Sequence, residues 1–219
     1  MVSVGAAPVQ ATINGVESLE FIAQVPDPND PVNLTVRVKA ASKQAELLST
    51  KTAGDLLILS GLLFLEESAP VITPSVILTA TDAQYLNEVL LVGHLAKPGR
   101  MTEKTSLRTM ALSRPIRKDG EWEENTDWFL IRGYASKNGG SSIRDRLNDA
   151  PKGSLVEVVG TLTQRTSKTQ ESFVEVKARK FRVHKKGGGG GAPNPAAGKE
   201  VVGYDADAFT GDDDDMPNF

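Results

Sequence analysis

Across residues 1–186 the apolar positions fall in short runs separated by turn signals, the pattern of β-strands rather than of long helices. In the second half these runs are Asn87–Leu95 (NEVLLVGHL), Ser106–Arg114 (SLRTMALSR), Asp127–Ala135 (DWFLIRGYA), Leu155–Thr163 (LVEVVGTLT) and Ser172–Val183 (SFVEVKARKFRV). Lys118-Asp119-Gly120 is a turn signal between the second and third. Between the third and fourth, Ile143 and Leu147 stand four apart, so Ser142–Asp149 has helical spacing, and Pro151-Lys152-Gly153 ends it. Five short strands in the order β-β-β-α-β-β predict a mainly all-β fold, an OB-fold barrel.

The first half carries traces of the same unit. Gly54 and Gly153 are 99 residues apart, as are Gly61 and Gly160, and Ala41-Ser42-Lys43 parallels Ala135-Ser136-Lys137 at an offset of 94. An insertion of about five residues in a loop reconciles the two offsets. Val71–Thr79 (VITPSVILT) is then the last strand of a degenerate first copy, giving two tandem OB-like units; the alternative is an unrelated β-rich extension. The apolar run Leu56–Leu65, broken by Ser60 and Gly61, is shorter than the roughly 20 residues a membrane span needs and reads as a buried strand. Gly187–Gly191 and Ala192-Pro193-Asn194-Pro195 cannot build a core. The expected division is an acidic OB-like unit at 1–85, a basic OB-fold unit at 86–186, and a disordered linker and tail at 187–219.

Charge sharpens that division. The formal net charge of −3 conceals 4 basic and 9 acidic residues in 1–85, 20 basic and 12 acidic in 86–186, and 1 basic and 7 acidic in 187–219. Only the middle block suits a polyanion. With no cysteine, thiolate metal sites and thiol nucleophiles are excluded and a reducing cytoplasm is the expected compartment. The two histidines, His94 and His184, have no companion ligands in the sequence, so neither a metal nor another cofactor is expected. No nucleophile–base pair, phosphate loop or paired-carboxylate motif is present, which argues against an enzyme. The N-terminus lacks a charged start and a sustained apolar run, so neither a targeting signal nor a membrane partner is expected.

The same segments resemble bacterial single-stranded-DNA-binding proteins. Asn87–Leu95 is similar to that family's opening strand, Thr126-Asp127-Trp128-Phe129 through Gly133-Tyr134 to its central strand, and Lys152–Leu162 to its fourth. Asp212-Asp213-Asp214-Asp215-Met216-Pro217-Asn218-Phe219 resembles its acidic tip, which usually ends Asp-Asp-Asp-Ile-Pro-Phe. The resemblance covers about 100 residues and the last eight. Departures are Asn218 inside the tip, Ile116 and the segment 164–167 where some members place an aromatic, and the acidic first block. The resemblance implies base-stacking aromatics at Trp128 and Tyr134, no catalysis, and a nucleoid-associated role in replication, recombination and repair. It also implies a homo-oligomer, dimer or tetramer, and recruitment of replication and repair proteins through Asp212, Asp213, Asp214, Asp215, Met216, Pro217 and Phe219.

Strand alternation makes the expectation specific. Trp128, Leu130, Arg132 and Tyr134 share one face of their strand, while Phe129, Ile131, Gly133 and Ala135 share the other, the core face. Flat rings accept any unpaired base. Phosphates need cations beside them: Arg108 and Arg114 on the second strand, Arg132 and Lys137 on and after the third, Arg165 and Lys168 at the end of the fourth, Lys177 and Arg179 on the fifth. Trp122 is a further stacking candidate, among Glu121, Glu123 and Glu124. Phe129 and Phe181 are expected in the core. The bland readings are core aromatics, solvated surface charges and a solubilising tail. The rival functions are an RNA-binding OB module and a protein-interaction scaffold.

Overall fold

The computed structural model describes residues 1–13, 16–27, 30–81, 86–118, 120–136, 141–167 and 172–187. Lys137, Lys168, the linker beyond Gly187 and the tip from Asp212 to Phe219 lie outside the described residues. The chain divides into two compact units, Met1–Asn87 and Glu88–Phe219.

The first unit contains β1 (Val2–Val4), β2 (Val9–Ile13), β3 (Val16–Asp27), β4 (Asp30–Ala41), α1 (Ser42–Leu48), β5 (Leu56–Glu66) and β6 (Ala69–Thr79). Its sheet order is β1-β5-β6-β4-β3-β2, and β1 pairs with β3 as well as β5. Every pairing is antiparallel except β4 with β6. Strict alternation on β4 sends Leu34, Val36, Val38 and Ala40 inward, against Val4, Phe21, Ala23, Leu48, Leu57 and Val71.

The second unit contains β7 (Val89–Met101), β8 (Thr105–Lys118), β9 (Glu121–Tyr134), α2 (Ile143–Asp149), β10 (Leu155–Thr166) and β11 (Ser172–Lys185). These close into the barrel β10-β11-β9-β8-β7, with β7 returning to β10 and a single parallel pairing, β9 with β11. This is the OB-fold barrel that the strand order predicts. The first unit repeats its core arrangement, since β5-β6-β4-β3 follows the same order as β10-β11-β9-β8 and in each unit a helix lies in sequence between the two strands of the parallel pair.

The repeated glycines occupy equivalent positions. Gly54 and Gly153 precede β5 and β10 with φ of 94° and 79°, a left-handed conformation that a side chain would strain. Gly61 and Gly160 each sit at a register shift, in the pairings β5–β6 and β10–β11. A Cβ would lie 2.1 Å from the Thr73 carbonyl oxygen at Gly61 and 2.4 Å from the Lys177 carbonyl oxygen at Gly160. Both bulges need the close backbone approach that only glycine allows.

One hairpin is longer than the apolar pattern indicates. β8 and β9 stay paired out to Lys118 and Glu121, through the polar stretch that separates the two predicted strands. The backbone ladder and the turn at Gly120, with φ of 90°, carry this extension without apolar alternation.

Helix α2 is fixed at both ends. Ser142 accepts from the Asp145 amide and Asp145 accepts from the Ser142 amide, a capping box. At the other end, Arg108 from β8 donates to the carbonyls of Leu147, at 2.9 Å, and Ala150. No helix among the described residues is long and apolar enough to cross a membrane.

Candidate nucleic-acid interface

The register of β9 decides which side chains share a surface. Asp127, Phe129, Ile131 and Gly133 are buried, while Trp128, Leu130 and Tyr134 are half-exposed. On β8 the partners of Trp128, Leu130, Arg132 and Tyr134 are Ala111, Thr109, Leu107 and Thr105. Across the parallel pairing Leu130 stands opposite Glu175, and Arg132 opposite Lys177. Glu175 and Lys177 in turn pair with Thr163 and Thr161 of β10. The outward face of β9 therefore carries two rings, flanked by uncharged side chains on β8 and by charge on β11 and β10. Trp122 has the same parity, opposite Arg117 on the β8–β9 arm, and is 73% exposed.

The charges gather around Tyr134. Lys177 Nζ lies 5.0 Å from the centre of its ring, a cation–π contact. Arg165 Nη2 donates to the Tyr134 hydroxyl at 3.2 Å, and Arg165 Nε donates to Glu175 at 2.7 Å. Arg132 Nε shares its proton between both Glu175 carboxylate oxygens, at 2.9 Å each. Two guanidinium groups against one carboxylate leave the cluster cationic, and Lys177 adds to it.

Two of the expected phosphate contacts face the other way. Arg108 and Arg114 pair in register with Ile131 and Asn125, the core-facing parity of β9. Arg108 is only 1% exposed; it reaches the carbonyls of Ala96, Leu147 and Ala150, and burial lowers its pKa from the ordinary guanidinium value. It caps a helix rather than meeting a phosphate, because β8 and β9 are in register and the rings lie on the opposite side of the sheet. Arg114 is half-exposed and bound to the buried Asp127 at 2.7 Å, with Asn125 donating to the same carboxylate. Arg132 lies on the ring face, but Glu175 covers it, leaving 7% of its side chain exposed.

Arg179 is exposed and paired with Glu88 at 2.6 Å. Phe129 and Phe181 are buried, and His184 lies 3.1 Å from Glu157. Among the described residues no group of His, Cys, Asp or Glu has metal-ligating geometry. Glu175 is the member of the site that residue-by-residue reading misses. Its parity with Lys177 is legible in the sequence, but its partners come from β9 and β10, which only the barrel brings to it.

No family model matches the sequence, and no curated protein matches it either. Solved structures do. The single-stranded DNA binding protein of Thermus aquaticus superposes with a TM-score of 0.56 at 18% identity, covering 87% of this chain and 93% of that one. A deletion variant of the same Thermus protein gives a TM-score of 0.57 at 17% identity, covering 88% and 94%. The protein has the fold of the Thermus single-stranded DNA binding protein. The Thermus likeness covers 87% of this chain and so extends over both compact units.

Proposed function

We propose that this protein is a member of the single-stranded-DNA-binding family and binds single-stranded DNA, without sequence preference and without catalysis, on the outward face of β9. The observation that carries the proposal is that Trp128 and Tyr134 both stand half-exposed on that face, with Arg165 and Lys177 against Tyr134. Stacking on such rings contributes about 1–3 kcal/mol per base and accepts every base. Lys177 and Arg165 supply the phosphate contacts, with Arg179 farther along β11. Trp122 extends the stacking track along the arm. Lys137 and Lys168 are further cationic candidates carried by the sequence.

The first unit contributes assembly rather than DNA contact. The outward side of its β3 and β4 offers Glu20, Ile22, Gln24, Thr35, Arg37 and Lys39, with no ring among them. Its two cations are engaged by acids: Arg37 by Glu20 and Glu66, Lys39 by Glu66 at 2.5 Å. Two such chains would present four OB units, an assembly that gains by multivalency. The acidic tip, Asp212–Asp215 with Met216, Pro217 and Phe219, recruits replication, recombination and repair proteins through a basic pocket that takes the acidic run and the Phe219 ring. On this reading the protein works on exposed strands of the nucleoid.

The test is a fluorescence titration with oligo-dT across salt, repeated with Trp128→Ala and with matched RNA as competitor. Quenching that weakens steeply with salt and with the substitution is expected. Absence of quenching would favour a protein scaffold, and preference for RNA would favour an RNA-handling module.

A further inference from the structure

A buried acid at the centre of a cationic DNA-binding face needs a reason. Glu175 has no exposed side-chain surface, and it sits among the groups that would meet phosphate. Electrostatics alone says that it should weaken binding. Its contacts point to a different role. It holds Arg132 and Arg165 together, and Arg165 hands the connection on to the Tyr134 hydroxyl. On the same strand Lys177, two residues on, lies over the ring.

We propose that Glu175 is a positioning residue for single-stranded DNA binding: through Arg165 it fixes the Tyr134 ring in the attitude that stacks a base. This rests on the assignment of the outward β9 face as the DNA site. An arginine without a partner samples many rotamers, and a phenol held by it would share that freedom. A buried carboxylate beneath Arg165 removes that freedom before DNA arrives, so the ring is ordered in advance and binding loses less entropy. Glu175 also draws Arg132 down into the sheet. Arg132 thereby supports the site without offering its charge to the strand.

The role makes a prediction opposite in sign to the electrostatic one. Glu175→Gln keeps the shape and removes a negative charge, so a purely electrostatic part predicts tighter oligo-dT binding and a steeper salt dependence. Positioning predicts binding about threefold to tenfold weaker, with the slope of log affinity against log salt unchanged. Tyr134→Phe keeps the ring but cuts the Arg165 link, and should weaken binding about twofold to fivefold. The double variant should be no weaker than the weaker single one, because both changes sever one path.

Glu175→Gln binding as tightly as the parent or tighter, Tyr134→Phe binding unchanged, or the two effects multiplying independently, would each overturn the proposal. Should Glu175→Gln fail to fold, Arg165→Gln takes its place in the cycle with Tyr134→Phe, and independent multiplication overturns the proposal in the same way. Trp128→Ala in the parent distinguishes the premise: if that substitution has no effect, the β9 face itself is misassigned. If Trp128 matters and the Glu175–Tyr134 coupling is absent, only the positioning role fails.

Discussion

Trp128 and Lys177 stand on the same face of the sheet but do different work, and substitution separates them. Trp128→Ala removes one stacking platform and should reduce oligo-dT affinity about tenfold to a hundredfold, with the salt slope little changed. Lys177→Gln should weaken binding modestly and reduce that slope by about one, the signature of a lost phosphate contact. A titration at several salt concentrations reads both. Arg108, equally cationic in the sequence, behaves as a structural group. Arg108→Met leaves the α2 carbonyls without their buried donor and should cost about 3 kcal/mol, read as a lower urea midpoint. Its DNA affinity, measured where the variant is folded, should match the parent. Charge alone does not separate Arg108 from Lys177, but parity does: Arg108 shares its face with Met110 and Leu112, and Lys177 shares its face with Glu175 and Arg179.

At the scale of elements, α2 and the β10–β11 bulge are each fixed by one or two residues. Ser142→Ala deletes half of the capping box and should lower stability by about 1 kcal/mol. The Asp145 carboxyl is held below its ordinary pKa, first by the Ser142 hydroxyl and then by Arg144. A carboxylate depressed in the fold stabilises above its unfolded pKa, and that support is lost as pH falls through the lowered folded value. Asp145→Asn should therefore melt below the parent at neutral pH and converge with it in acid, in paired thermal melts. Gly160→Ala drives a methyl into the Lys177 carbonyl at the bulge and should cost about 1–3 kcal/mol. The glycine pairs and the short apolar runs make these elements legible in the amino-acid order alone. The β8–β9 arm is not legible there, because its polar residues are held by the backbone ladder, which leaves no trace in hydrophobic alternation.

In the whole molecule the two units share a strand order but not a surface. The outward cations of β4 are tied to Glu20 and Glu66, whereas β9 carries Trp128 and Tyr134. Replacing Arg37 and Lys39 together by Gln should leave oligo-dT affinity within about twofold and stability within about 1 kcal/mol, since partly exposed ion pairs contribute little. A large loss of affinity, in the same titration, would place DNA on the first unit too. The duplicated strand order thus does not by itself fix the surface: β4, the strand that corresponds to β9, carries no aromatic ring.

The sequence by itself determined the strand runs, the paired glycines, the helical segment before Pro151 and the charge of each block. All of these follow from local periodicity, backbone sterics and composition. It also put Trp128 and Tyr134 on one side of their strand, because alternation is a property of the strand alone. Only the tertiary structure decided which neighbouring strand lends its charges to that side. Register turned Arg108 and Arg114 to the opposite surface, and the parallel pairing of β9 with β11 brought Glu175 under Arg132 and Arg165. Pairing between strands distant in sequence depends on how the sheet closes, and residue spacing along the chain does not encode that closure.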